Sequence, residues 1–148
     1  MPNSVIALTE VTPTSSKTPI VFPGELLGAG TVGQIGDPAK FAQELNSLKN
    51  FQDESILGHK YSNVLENLNW IKKLDPDNKF LQQKEDYLKN KAPKNMPAIS
   101  LLLEEKAINP YLRMNDPYFT GLMGTEDAAT ILQKLKAFEE QEKLKSAA

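Results

Sequence analysis

Residues 61–90, YSNVLENLNWIKKLDPDNKFLQQKEDYLKN, decide the reading of this chain. Within them Val64, Leu65, Leu68, Ile71 and Leu74 recur at intervals of three and four, the spacing that stacks side chains on one face of an α-helix. Asp75-Pro76 stops the stripe, because the residue before a proline is biased away from helix. The same pair reads as the cap and first residue of a second helix. Phe80, Leu81, Tyr87 and Leu88 mark that second helix, which is expected to run out at Lys91-Ala92-Pro93.

Downstream the period stays helical. A shorter helix from about Ser100 to Lys106 is expected to stop before Asn109-Pro110. Thr125 is expected to cap a last helix whose core face is Ala128, Ile131, Leu132, Leu135 and Phe138. Its tail from Glu139 to Lys145 is charged and reads as a solvated end that frays, with Glu139 and Lys143 one turn apart and able to pair. One core is expected to join Tyr61, Val64, Leu68 and Ile71 to Leu132, Leu135 and Phe138.

Upstream the pattern changes. Val5-Ile6-Ala7-Leu8 and Pro19-Ile20-Val21-Phe22 flank the polar run from Thr12 to Lys17 and predict a hairpin or adjacent strands. Asp37-Pro38, followed by Phe41, Leu45 and Leu48, predicts a capped helix of about three turns. Ser55-Ile56-Leu57-Gly58 reads as one more short strand, ending at His59. The fold class is therefore α+β, divided into a strand-containing segment 1–60 and a helical segment 61–148.

Composition narrows the chemistry. The chain has 148 residues, 17 basic against 19 acidic, and a net charge of -2, so it carries no strong field for nucleic acid or anionic lipid. No apolar run approaches the ~20 residues a membrane helix needs, and membrane insertion is not expected. The N-terminal residues lack the pattern of a secretory signal, which leaves the compartment open between the cytoplasm and an organelle such as the mitochondrion. There is no Cys, a single His, His59, and a single Arg, Arg113. Thiol nucleophiles, disulfides and thiolate metal sites are excluded, and a zinc site of the usual kind needs more imidazoles than this chain has.

Gly28-Ala29-Gly30-Thr31-Val32-Gly33 matches the dinucleotide pattern G-x-G-x-x-G letter for letter. That motif needs its third glycine in the first turn of a helix facing the pyrophosphate. Here Gly36-Asp37-Pro38 restarts the chain where that helix would be running, so a glycine-rich loop is the better reading. His59 closes a strand, a good ligand position, yet a lone imidazole is more often a hydrogen-bonded packing residue. Arg113, in Asn109-Pro110-Tyr111-Leu112-Arg113, reads as a structural salt bridge between helices.

These pieces in order resemble one family. Gly58-His59-Lys60-Tyr61-Ser62-Asn63, a helix, Leu74-Asp75-Pro76-Asp77-Asn78, a second helix, Pro97-Ala98-Ile99-Ser100 with Glu104-Glu105, and Asn109-Pro110-Tyr111-Leu112-Arg113 are similar to the C-terminal half of hydroxyacylglutathione hydrolase, glyoxalase II. Upstream, the run from Ile20 to Leu27 with Ala29-Gly30 resembles the strand and loop that hold the bridging aspartate of the metallo-β-lactamase fold. The resemblance implies a partial metallo-β-lactamase-type sandwich remnant followed by a helical glyoxalase-II-type domain.

The family's activity is hydrolysis of a glutathione thioester by a metal-bound hydroxide on two metal ions, gripped by a T-H-x-H-x-D-H loop, further histidines and a bridging aspartate. That loop has no counterpart in this sequence. Glu25 stands where the bridging aspartate is expected and His59 matches one metal ligand, so the two are relic metal positions expected to be empty. Tyr61 matches a glutathione-contacting tyrosine. The Arg and Lys of the family's last helix correspond to Lys136 and Glu139, and an anion at the second position repels a glutathione carboxylate. The expectation is a pseudoenzyme without catalytic residues or cofactor, a structural or interaction subunit whose N-terminal strands are covered by other protein subunits. The alternative is a thioester hydrolase fragment whose metal-binding half comes from another chain.

Overall fold

Asp37 starts the first helix as its sequence predicts: the carboxylate accepts from the backbone N–H groups of Ala39 and Lys40 at 3.0 and 3.3 Å, and Pro38 takes the first helical position. This helix, α1, spans Pro38–Leu48 and buries Phe41, Ala42, Leu45 and Leu48. The structure is a computed structural model, which describes residues 6–8, 20–22, 26–28, 30–51, 56–57, 64–91 and 100–147.

Helix α2, Val64–Leu74, carries the expected stripe, with Leu68 and Ile71 buried and Val64 and Leu74 packed at its margin. Its buried face is broader than the stripe, because Asn67 and Trp70 are also enclosed. Asp75-Pro76 does not cap the next helix. Helix α3, Lys79–Asn90, is capped by Asn78, whose side chain accepts from the N–H groups of Phe80 and Leu81. The Asp75 carboxylate is occupied elsewhere, by Arg113 and by the Asn78 amide. Of the apolar residues expected to mark α3 only Leu81 is buried; Phe80 is 63% exposed and Tyr87 is also exposed, so this helix packs by one edge.

After α4, Leu102–Ile108, a 3₁₀ turn over Pro110–Leu112 begins at Asn109. Helix α5, Pro117–Met123, has no counterpart in the sequence expectations; Asp116 caps it and Gly124, at φ +69°, ends it in the left-handed region where glycine is favoured. Helix α6 runs Ala128–Ala147. Thr125 is not its cap but accepts from the Asp127 N–H, while Asp127 itself caps by accepting from the Thr130 N–H. The expected fraying of its tail is also corrected: the helix continues to Ala147, and Glu139 and Glu142 are buried.

Strands β1, Ile6–Leu8, and β2, Ile20–Phe22, pair antiparallel with Ile6 opposite Phe22. A separate hairpin joins β3, Leu27–Gly28, to β4, Thr31–Val32. Strand β5, Ile56–Leu57, runs parallel to β2, and β6, Ser100–Leu101, pairs antiparallel with β5. The larger sheet thus has the order β1-β2-β5-β6. Its fourth strand comes from residues the sequence assigned to the start of a helix. The molecule is α+β with a predominantly helical second half.

A single apolar cluster contains Leu27 and Val32 of the small hairpin, Phe41 and Leu45 of α1, Leu68 and Ile71 of α2, and Ile131, Leu132 and Leu135 of α6, with Phe138 against it. The expected meeting of α2 with α6 is present, and α1 and the hairpin share that core. Tyr61 lies outside the described residues. Among the described residues no helix is long and apolar enough to cross a membrane.

Candidate functional site

The glycine-rich loop is the turn of the β3–β4 hairpin. Gly30 sits at φ +72°, and a Cβ there would lie 3.2 Å from both the Asn67 Cβ and the Ile71 Cδ1 of α2. Backbone conformation and close approach therefore both require glycine. A second strand follows the turn instead of a phosphate-facing helix, in keeping with the reading against a dinucleotide fingerprint.

Two carboxylates hold this turn in place. The Gly30 N–H donates to Glu105 Oε2 at 3.3 Å, and the Asn109 side-chain amide donates to the same oxygen at 2.8 Å and to the Thr31 carbonyl at 3.4 Å. Glu105 of α4 and Asn109, the residue that closes this helix, are one turn apart and both buried, so the pair supports the hairpin. The second carboxylate, Glu139 of α6, is 2% exposed. It accepts from the Thr31 hydroxyl at 2.8 Å, from the Tyr111 hydroxyl at 2.8 Å and from Lys143 Nζ at 2.7 Å. Lys136 Nζ donates to the Val32 carbonyl at 3.2 Å and lies 3.8 Å from Glu139.

This is a satisfied buried charge: three donors meet one carboxylate, and the lysines compensate its sign. Burial first, and then the Glu139 charge, push the Tyr111 hydroxyl far above the usual tyrosine range, so it stays protonated and keeps donating. The ring of Tyr111 also packs 5.7 Å from that of Trp70, whose indole N–H is buried and has no hydrogen-bond acceptor among the described residues.

Arg113 performs the expected structural task. Its guanidinium donates to Asp75 at 2.5 Å and to Asp116 at 3.1 Å, and lies 4.8 Å from the centre of the Phe119 ring. It thereby ties the end of α2 to the start of α5. The Asp116 carboxyl is held below its ordinary range, first by the Tyr118 backbone N–H and then by Arg113.

The three sequence-singled positions His59, Glu25 and Tyr61 lie outside the described residues. Lys136 and Glu139 are described, and the structure brings both onto the β3–β4 hairpin. Among the described residues no group of three His, Cys, Asp or Glu side chains is placed to hold a metal ion. Thr31, Glu105, Asn109 and Tyr111 were missed as members of one network. The i, i+4 spacing of Glu105 and Asn109 was the signal for the first half of it; no local signal links Thr31 to Glu139, 108 positions away.

The profile of the hydroxyacylglutathione hydrolase C-terminus family matches residues 63–142, more than half of the chain. The hydroxyacylglutathione hydrolase of Crocosphaera subtropica is 29% identical over 123 residues, which cover 81% of this chain and 48% of that protein. That of Synechocystis sp. is 28% identical over 123 residues, with the same coverage of 81% and 48%. The enzyme of Nitrosomonas europaea is 34% identical over 100 residues, 66% of this chain and 38% of its own length. The chain spans about half the length of the cyanobacterial relatives.

Proposed function

This chain belongs to the hydroxyacylglutathione hydrolase C-terminus family, and from that membership we propose that it is a non-catalytic, glyoxalase-II-like protein serving as a structural or interaction subunit of a larger assembly. In this reading residues 1–60 derive from a metallo-β-lactamase-type sandwich and residues 61–148 are the helical domain. One observation carries it. Lys136 and Glu139, which stand where the family resemblance puts glutathione-contacting cations, both engage the chain's own hairpin, one at the Val32 carbonyl and the other at Thr31, with Tyr111 as a further donor to Glu139. A ligand carboxylate arriving there meets a buried anion.

The test is turnover and binding by the purified chain supplied with zinc. The expected result is no hydrolysis of S-lactoylglutathione and no saturable binding of glutathione. Metal-dependent turnover that disappears in His59→Ala would overturn the proposal. Turnover that appears only when a second polypeptide is added would favour instead a hydroxyacylglutathione hydrolase fragment whose metal-binding half comes from another chain, a reading supported by relatives about twice as long that carry that name.

The partner is proposed to cover the strands of the N-terminal segment, since an uncovered strand edge offers backbone donors and acceptors to another chain. Hydrogen exchange on the isolated protein reads this directly. Fast exchange over residues 5 to 22 beside slow exchange over α2 supports an external partner; strong protection of both in a demonstrated monomer removes the need for one.

A further inference from the structure

Away from the hairpin network, a cleft of about 280 Å³ opens between α1 and the start of α6. Its volume corresponds to roughly nine water molecules. Ala39 and Ala42 of α1 and Met114 supply apolar lining, and the exposed amide side chains of Asn46 and Asn115 line it as well, 3.5 Å from each other. Lys49, just beyond the end of α1, also lines it.

Lys49 is the unusual member. Among the described residues its ammonium is in no ion pair. The nearby Asp116 carboxylate is already held by Arg113 and by the Tyr118 N–H. Burial first, and then the Lys106 charge, lower the Lys49 ammonium below the ordinary lysine range, with Asp116 opposing them. An anion in the cleft would relieve both effects at once.

We propose that this cleft binds a small monocarboxylate with a short apolar body, its carboxylate on Lys49 and the amides of Asn46 and Asn115, its carbon chain on Ala39, Ala42 and Met114. A monocarboxylate is selected because the lining also includes Asp127, a second charge, negative and committed to capping α6. A second ligand carboxylate placed there is repelled. The site is distinct from the hairpin network and does not depend on the function proposed above.

The experiment is a titration of the whole chain with butyrate, followed by amide NMR, with succinate as the competitor of opposite expectation. Saturating shifts at Ala39, Asn46 and Asn115 are expected, with affinity at least about tenfold weaker in Lys49→Met, the loss of one charge-assisted hydrogen bond. Succinate should bind more weakly than butyrate. Absence of saturation, shifts centred elsewhere, equal binding of succinate, or unchanged affinity in Lys49→Met overturns the proposal. Should Lys49→Met fail to fold, Asn115→Ala replaces an exposed side chain and is read the same way.

Discussion

The two halves of the last helix are buried by opposite means. From Ala128 to Leu135, α6 presents Ile131, Leu132 and Leu135 to the apolar cluster, and these side chains are fully enclosed. One turn further on, the same line of the helix encloses Glu139 and then Glu142, two carboxylates that are also buried. The first half is held by removing apolar surface from water, and the second by donors brought to charges: Thr31, Tyr111 and Lys143 for Glu139, Lys73 and Lys145 for Glu142. Burial and hydrophobicity are thus separable along a single helix. What a buried position requires is a partner for whatever chemistry it carries.

The largest effect expected along this helix is in its apolar half. Leu135→Ala should destabilise the protein by about 2–5 kcal/mol, as a truncation in a closed core does, and a denaturant titration measures it. An unchanged midpoint would mean that α6 does not close the core with α2. Next comes Glu139→Gln, which keeps the volume but removes the charge while leaving Lys143 beside it. A loss of about 1–3 kcal/mol is expected, and the double variant Glu139→Gln/Thr31→Val should cost less than the sum of the two single changes, because both act on one hydrogen bond. Strict additivity would show that the hairpin and α6 are not coupled through that carboxylate.

A smaller loss, about 1 kcal/mol, is expected from Asp127→Ala, which removes the acceptor for the first turn of α6. The matching change Thr125→Ala should cost less, since the Thr125 hydroxyl accepts from the Asp127 N–H and not from a residue further into the helix. The reverse ranking would restore Thr125 as the cap. The smallest effect concerns acid. Hydrogen bonds from Lys73 and then Lys145 hold the Glu142 carboxyl below the usual glutamate range. A carboxyl whose pKa is lower folded than unfolded adds stability above its unfolded value, about 4.3, and that part is lost as the pH falls through the folded value. Melting curves between neutral pH and pH 3 should therefore fall less steeply in Glu142→Gln than in the parent chain.

Much of the architecture was legible because it depends on neighbours in sequence. Asp37-Pro38, the Leu68-Ile71 stripe and the Ile131-Leu132-Leu135 face each declare a helix within a few residues, and the paired runs at Ile6–Leu8 and Ile20–Phe22 declare strands. The errors share one origin. Asp75-Pro76 carries the right letters for a cap, but Arg113, 38 positions away, takes the carboxylate, and Asn78 caps instead. Phe80 and Tyr87 looked like core by composition, yet both side chains are exposed. Ser100 began a helix by pattern and became a strand because Leu57 lies opposite it.

The sequence by itself determined that the chain is α+β, that its second half is helical, that Arg113 braces helices, and which family it resembles. These follow from periodicity, caps and ordered motifs, all of short range. Only the tertiary structure decided that the charged end of the last helix turns inward, because the energy of burying Glu139 depends on Thr31, Tyr111 and Lys143 arriving together. No local pattern encodes that arrival: a carboxylate in a helix reads as solvated until donors from distant segments make its burial favourable.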